Sequence, residues 1–470
     1  MRVNFMNTQT SVSPPSIFSR NSLIFMADVI IFALLLAFLP FEQNVNKGLA
    51  LLVFVGVLWL TEALNVTVTA VLVPLLAIGL GLVTTKNALV AFADPTIFLF
   101  FGGFALATAL HIQKLDRLIA NRIMALAKGN LFIAVLYLFS VTAFLSMWIS
   151  NTATAAMMLP LAMGILSQLD REREHNTYTF VLLGIAYSAS IGGMGTLVGS
   201  PPNAIVASQL HLTFSDWLWY GMPVMIILMP LMIGCMYVIF KPRLNIRFTQ
   251  DFEKIEMTTP RIITLLIFIL TAVLWVFSSS VNPMLSGLLG LPKDIASFDS
   301  VVALLAAALI CISGVASWKQ IQDNTEWGVL LLFGGGLTLS AVLKDSGASK
   351  VMADGIVFLI QGGHFYVIGL IVTAFIVFLT EFTSNTASAA LLVPIFISIA
   401  QALGMPEMGL ALLIGLGASC AFMLPVATPP NAIVFGTGEV KQSDMIRAGV
   451  VLNILCIFVI GTIGYLFWFG

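Results

Sequence analysis

Ser150-Asn151-Thr152-Ala153 and Ser384-Asn385-Thr386-Ala387 each set a hydroxyl, an amide and a second hydroxyl inside a long apolar run. A helix-breaking stretch follows each of them, Gly199-Ser200-Pro201-Pro202-Asn203-Ala204-Ile205 and Ala427-Thr428-Pro429-Pro430-Asn431-Ala432-Ile433. Proline lacks a backbone donor and pushes the preceding residue out of the helical region, so the last carbonyls before each break lose their partners. Freed carbonyls and Ser, Thr and Asn oxygens make a neutral cage of hard oxygens, the kind that coordinates Na⁺. The half-helix beyond each break offers unpaired N–H groups and a positive dipole end, which favour an anion. One site can therefore hold Na⁺ and a carboxylate side by side. No Lys or Arg lies within either tip or break. The anion then depends on the bound cation, and coupling of the two fluxes requires that dependence. The blander reading is that these residues hydrogen-bond and kink helices and do nothing more. Four polar interruptions paired along the chain argue against it.

The pairing goes further. Ala155-Ala156 corresponds to Ala389-Ala390, Pro160 to Pro394 and Ile165 to Ile399 at the offset that relates the two tips, and Ser146 falls opposite Thr380. Upstream, Phe101-Gly102-Gly103 matches Phe333-Gly334-Gly335. The chain is two halves descended from one unit.

The elements that must carry these motifs are membrane helices. Of 470 residues 59% are hydrophobic and 9% charged, where a soluble globular chain carries roughly 25% charged residues. The mean hydropathy is +1.03. This composition predicts an all-α polytopic membrane protein. Cys235, Cys311, Cys420 and Cys456 sit in apolar stretches without metal-ligand spacing, and the four histidines are scattered. Buried thiols are the expectation, with no disulfide framework. Residues 1–22, polar and Ser/Pro/Asn-rich, read as a cytoplasmic tail. Crossings are expected at about 23–40, 48–64, 67–82, 95–112, 178–206, 217–240, 261–279, 300–316, 326–343, 407–435 and 446–469. The basic, apolar segment 113–130 and a piece near 349–362 should lie in the membrane interface.

Two apolar pairs, 131–149 with 151–168 and 365–383 with 385–402, meet at the polar tips. Each pair is either two full spans with a tight turn or a re-entrant hairpin. Re-entrance is the preferred reading, because a polar tip at membrane depth is tolerated where it lines a site. With that assignment, of the 21 Lys and Arg only Lys47, Lys86, Lys293, Lys344 and Lys350 fall on the external side. The asymmetry predicts a cytoplasmic N-terminus, eleven crossings and an external C-terminus. An odd number of crossings separates corresponding elements, so the halves are inverted, as in transporters whose site lies at the repeat interface. Asp28, Glu62 and Glu381 are acids in or near apolar spans and are functional candidates for that reason. Glu381, three residues before the second tip, is the strongest, as a group shaping the hairpin or the second cation site.

The paired Ser-Asn-Thr tips and paired Pro-Pro-Asn-Ala breaks resemble the divalent anion/sodium symporter family, which includes the INDY-type dicarboxylate transporters. The resemblance covers nearly the whole chain. It implies a homodimer in a bacterial-type cytoplasmic (inner) membrane with an elevator-type transport domain. The scaffold would be 23–130 and 241–362, and the moving parts 131–240 and 363–470. Carried onto matching positions, one Na⁺ site uses Ser146, Ser150, Asn151 and Gly199, and its counterpart Thr380, Ser384, Asn385 and Ala427. The anion is gripped by Asn151, Thr152, Ser200 and Pro201 from one half and by Asn385, Thr386, Thr428 and Pro429 from the other. The implied activity is Na⁺-coupled symport of succinate, malate or fumarate. A Na⁺-independent dicarboxylate exchanger on the same fold, or citrate or sulfate as main substrate, is the alternative. No nucleic-acid partner is expected. A membrane hydrolase is disfavoured, because no His or carboxylate stands at suitable spacing from the tip hydroxyls. A channel is disfavoured because two opposed hairpins suit alternating access better than an open pore.

Overall fold

The computed structural model describes residues 19–249, 255–360 and 364–469. The expected tail therefore lies outside the described residues up to position 18. Ser19 caps the first helix, its hydroxyl accepting from Ser22 N–H at 3.2 Å. Among the described residues the chain is helical, with one isolated bridge between Asn130 and Arg247.

The first half contains α1 (Arg20–Phe38), α2 (Gln43–Thr61), α3 (Val66–Gly79), α4 (Thr85–Val90), α5 (Pro95–Ile112) and α6 (Leu115–Ala125). A helical hairpin, α7 (Leu131–Ser146) and α8 (Asn151–Leu166), comes next. The first broken helix is α9 (His175–Gly193) with α10 (Pro201–Leu210), and α11 (Phe214–Phe240) ends the half. The second half runs through α12 (Thr259–Val276), α13 (Ser278–Leu288), α14 (Phe298–Ile312), α15 (Trp318–Asn324), α16 (Trp327–Asp345) and α17 (Ala348–Ile360). Its hairpin is α18 (Phe365–Leu379) and α19 (Asn385–Leu403), its broken helix α20 (Glu407–Gly417) with α21 (Pro429–Phe435), and its last helix α22 (Gln442–Ile463).

Among the described residues eight segments are long and apolar enough to cross a membrane: 20–38, 43–61, 85–112, 214–240, 259–276, 327–345, 385–403 and 442–468. All but 385–403, a hairpin arm, coincide with expected crossings. The remaining expected crossings are the two broken helices and the short α3 and α14, of 14 and 15 residues. At 1.5 Å per residue the short ones reach only about 21–23 Å. The arms of the first hairpin, 16 residues each, reach about 24 Å, slightly longer than α3 and α14. The helices α4, α13 and α15 are additions that the apolar pattern alone does not show.

Packing repeats the internal symmetry. The helix carrying Phe101-Gly102-Gly103 lies against α14, and the one carrying Phe333-Gly334-Gly335 lies against α3. The glycines permit that approach: a Cβ on Gly102 would stand 2.5 Å from Ala303 O, and one on Gly335 2.6 Å from Ala70 O. Small residues at such crossings let backbones meet, and close packing is what holds helices together where lipid removes the hydrophobic driving force. The halves also interlock. The half-helix α10 packs on α19 of the opposite hairpin, and α21 packs on α8 and α9.

Candidate functional site

Each hairpin tip is the N-terminus of its return arm. Ser150 caps α8 through Ala153 N–H at 3.3 Å, and Ser384 caps α19 through Ala387 N–H at 3.4 Å. The first intrahelical bond of α8 is from Thr154 N–H to Ser150 O, so the N–H groups of Asn151 and Thr152 precede the ladder at the positive end of the dipole. At the breaks, Ser200 (φ −148°, ψ 137°) and Thr428 (φ −143°, ψ 148°) are extended, as residues before proline must be. Both are N-cap residues whose side chains make no cap bond. Their hydroxyls are left for other uses. Thr428 Oγ1 is buried without a partner, and Ser200 Oγ lies 3.4 Å from Ser419 Oγ.

These elements enclose one cavity of about 450 Å³. Ser150, Asn151, Thr152, Gly199, Ser200 and Pro201 line it from the first half, and Ser384, Asn385, Thr386, Ala427, Thr428 and Pro429 from the second. Ser146 and Thr380 do not reach it. They are fully buried behind the tips. No Lys or Arg is among the lining residues, while Glu62 and Glu326 are.

Behind each tip, oxygens crowd together. Ser146 Oγ lies 2.6 Å from Asn151 Oδ1 and 2.7 Å from Ala189 O. Thr380 Oγ1 lies 2.6 Å from Asn385 Oδ1 and 3.0 Å from Ala418 O. A hydroxyl has one proton to donate, so in each trio one close oxygen contact is left without a hydrogen. The first cluster extends to the break: a Cβ on Gly193 would run into Asn151 Oδ1 and stand 3.0 Å from Gly199 O. A Cβ on Gly199 would stand 2.6 Å from Gly193 O and 3.0 Å from Ser146 O. Hard neutral oxygens converging with too few protons are a donor set suited to a small monovalent cation.

Three groups brace this arrangement beyond the motif roles assigned from sequence. Asn203 Nδ2 donates to Gly193 O (2.9 Å) and Thr196 O (2.8 Å), closing the first break across its own backbone. Asn431 Nδ2 does the same for Ala421 O and Leu424 O, both at 3.0 Å. Glu381, fully buried, accepts from Phe422 N–H (2.7 Å) and Met423 N–H (2.9 Å) on Oε1 and from Leu424 N–H (3.1 Å) on Oε2. Asn453 Nδ2 adds a fourth donor at 2.6 Å. Glu326, on the cavity wall and first in the expected crossing 326–343, is not among the three acids singled out from the sequence. Its signal is positional: it precedes Phe333 by the same seven residues that separate Asp94 from Phe101.

Paired hairpins and broken helices, inverted and meeting at one polar cavity without a basic side chain, define a polytopic secondary transporter. Residues 20–469 match the family described as the sodium:sulfate symporter transmembrane region, and the chain belongs to this family, the divalent anion/sodium symporters. That is a family of transporters and not of enzymes. The chain is 76% identical over 449 residues to an uncharacterized transporter of Haemophilus influenzae, covering 96% of this chain and 97% of that one. It is 32% identical over 466 residues to the sodium-dependent dicarboxylate transporter SdcS of Staphylococcus saprophyticus, covering 92% of this chain and 88% of SdcS. A solved structure, that of the YdaH transporter of Alcanivorax borkumensis, shares the fold with a TM-score of 0.57 at 13% identity, over 82% of this chain and 88% of that one.

Proposed function

We propose that this protein is a Na⁺-coupled symporter that carries C4-dicarboxylates such as succinate, malate and fumarate into the cell. The observation that carries the reading is the pair of oxygen clusters, at Ser146–Asn151–Ala189 and Thr380–Asn385–Ala418, flanking one cavity without a basic side chain. Ser146, Ser150, Asn151 and Gly199 hold one Na⁺, and Thr380, Ser384, Asn385 and Ala427 the other. The anion lies between the tips, on Thr152, Thr386, Ser200 and Thr428 with the amides of Asn151 and Asn385, where Pro201 and Pro429 set the backbone. Bound Na⁺ supplies the positive charge that the wall lacks, so anion affinity rises only when the cation is present. The name of SdcS, sodium-dependent dicarboxylate transporter, supports this choice of ion and substrate.

The protein acts as a homodimer in the inner membrane, N-terminus cytoplasmic and C-terminus external, with 131–240 and 363–470 moving against a scaffold of 23–130 and 241–362. Glu62 and Glu326 on the cavity wall belong to helix ends that the charge pattern puts in the cytoplasm, which supports an inward-open state.

The test is uptake of radiolabelled succinate into proteoliposomes under an inward Na⁺ gradient against a matched K⁺ gradient. Accumulation with Na⁺ alone is expected. Uptake indifferent to Na⁺ and stimulated by internal dicarboxylate would make the protein an exchanger, and uptake of sulfate or citrate in place of succinate would reassign the substrate.

A further inference from the structure

A second polar cavity, of about 410 Å³, shares no lining residue with the cavity at the hairpin tips. Its walls come from α5, α13 and α14 on one side and from α10 and α11 on the other. Lys86 precedes α5 and Lys293 precedes α14, and the charge pattern puts both outside, so this cavity faces the external side. Asp94, Asp216 and Asp299 line it together with the hydroxyls of Ser208, Ser215 and Ser278. No Lys or Arg does, and His211 is the only lining group able to carry positive charge.

Each aspartate commits one oxygen to the backbone. Asp94 Oδ1 accepts from Thr96 N–H at 2.8 Å, Asp216 Oδ2 from Thr213 N–H at 2.9 Å and Asp299 Oδ2 from Phe214 N–H at 2.6 Å. The second oxygen of Asp299 is the anomaly. That residue is 7% exposed, and its Oδ1 is buried without a hydrogen-bond partner. Among the described residues none of the three aspartates forms an ion pair. Buried carboxylates are ordinarily paired or coordinate a metal.

Carboxylates and hydroxyls, with no thiol among them, suit the hard divalent cations. Among the described residues no three acidic or histidine side chains converge tightly enough to hold an ion by themselves. An ion here is therefore held by one or two carboxylates and keeps part of its water, as Mg²⁺ commonly does. At roughly 30 Å³ per water the cavity has room for that shell.

Hydrogen bonds cross the same boundary. Ser208 Oγ donates to Asp94 at 3.3 Å, Ser340 Oγ of α16 to Gln209 of α10 at 3.0 Å, and Ser215 Oγ lies 3.3 Å from Ser278 Oγ. With the Phe214–Asp299 bond, these join 131–240 to the segments 23–130 and 241–362. Displacement of 131–240 would break all four and pull the walls of the cavity apart.

We propose that this cavity is an external binding site for a hydrated divalent cation, Ca²⁺ or Mg²⁺, anchored on Asp299 and shared with Asp216, and that its occupancy holds the inward-open state. The site itself stands apart from the Na⁺-coupled reading. Its effect on the conformational state rests on the moving part assigned there.

The experiment is equilibrium binding of radiolabelled Ca²⁺ to the purified full-length protein in neutral detergent, without Na⁺ or dicarboxylate. Saturable binding of about one ion per chain, displaced by Mg²⁺, is expected, with half-saturation at about 10⁻⁴–10⁻³ M, the range of extracellular Ca²⁺ modules. Asp299→Asn keeps an acceptor for Phe214 N–H and loses the charge. It should raise the half-saturating concentration on the order of tenfold, the scale set by a unit charge about 5 Å from a divalent ion even at the dielectric constant of water. Asp216→Asn should act in the same direction and decides the matter if Asp299→Asn does not fold. Asp323→Asn, which removes an exposed acid paired with Lys319 on α15, should change nothing. In right-side-out vesicles, external Ca²⁺ should slow succinate uptake severalfold in the wild type and not in Asp299→Asn. Binding that does not saturate, or that is equal in the wild type and both cavity variants, would mean an adventitious ion only and overturn the site. Ca²⁺ that binds as expected and leaves wild-type uptake untouched would overturn the link to the inward-open state. An absence of succinate uptake under every condition would count against the transport reading alone, because Ca²⁺ binding decides the site.

Discussion

The two breaks share a backbone and differ in what ties it down. In both, an extended residue precedes Pro-Pro, an asparagine spans the break with its amide, and a carbonyl just past the first half-helix takes a bond from an aromatic side chain. The first break is otherwise tied by neutral groups, through Thr196 and local turns. The second is tied by Glu381. The helices α5 and α16 diverge in the same way: Asp94 caps α5 and lies 3.3 Å from Ser208 of α10, whereas Glu326 makes no cap bond at α16 and lines the cavity. Duplicated halves retain the geometry that repeats demand and diverge in charge.

Truncating the shared amides gives the largest expected effect. Asn151→Ala and Asn385→Ala each remove an oxygen from a cation cluster and an amide from the anion's place. Each should cut Na⁺-dependent substrate binding by roughly 10- to 100-fold, the size of a lost buried hydrogen-bonding group. If both variants bind and transport normally, the tips are not the site. A smaller and purely structural pair is Gly102→Ala and Gly335→Ala. Each added Cβ meets a carbonyl oxygen of the facing helix within 2.6 Å, so each should lower stability by about 1–3 kcal/mol, the usual cost of overpacking. Gly79→Ala, with nothing within 4 Å of the new Cβ, should be neutral to slightly stabilising, since Gly in a helix costs roughly 0.5–1 kcal/mol relative to Ala. Thermal unfolding in one detergent compares all three. Equal losses at Gly102 and Gly335 would place the asymmetry between the halves at the breaks and not in these helix crossings.

Much of this was legible in the sequence because lipid leaves few options. A polar tripeptide inside an apolar run must be satisfied by protein, and its recurrence at one offset marks both halves. The expected arms 131–149 and 151–168 correspond to α7 and α8 within a few residues. The roles of Asn203 and Asn431 were less accessible. Their place in the motif is plain, yet a spacing cannot reveal that one amide bridges two carbonyls across a break. The glycine pairs were visible as repeats, but their reason appears only with Ala303 and Ala70 in contact. Glu381 could be singled out by its place in an apolar run, while its donors come from residues some forty positions away and no local pattern announces them.

The smallest expected effect tests whether the second break is held as a unit. Phe422 is gripped from both ends: its N–H donates to Glu381 at 2.7 Å, and its carbonyl accepts from the Tyr187 hydroxyl at 2.7 Å. Tyr187 belongs to α9 of the other half, so this bond ties one repeat to the other. Its counterpart at the first break, Trp217 Nε1 to Met194 O at 3.0 Å, comes from the same half. Tyr187→Phe keeps the ring and deletes the donor, which should cost about 1 kcal/mol. Residues that share a partner do not add independently, and the double-mutant cycle isolates their coupling. Tyr187→Phe combined with Glu381→Gln should therefore show an interaction of about 0.5–1 kcal/mol in thermal or denaturant unfolding. Trp217→Phe combined with Glu381→Gln, which act on different breaks, should be additive. Coupling of equal size in both cycles would mean that the two breaks respond as one body.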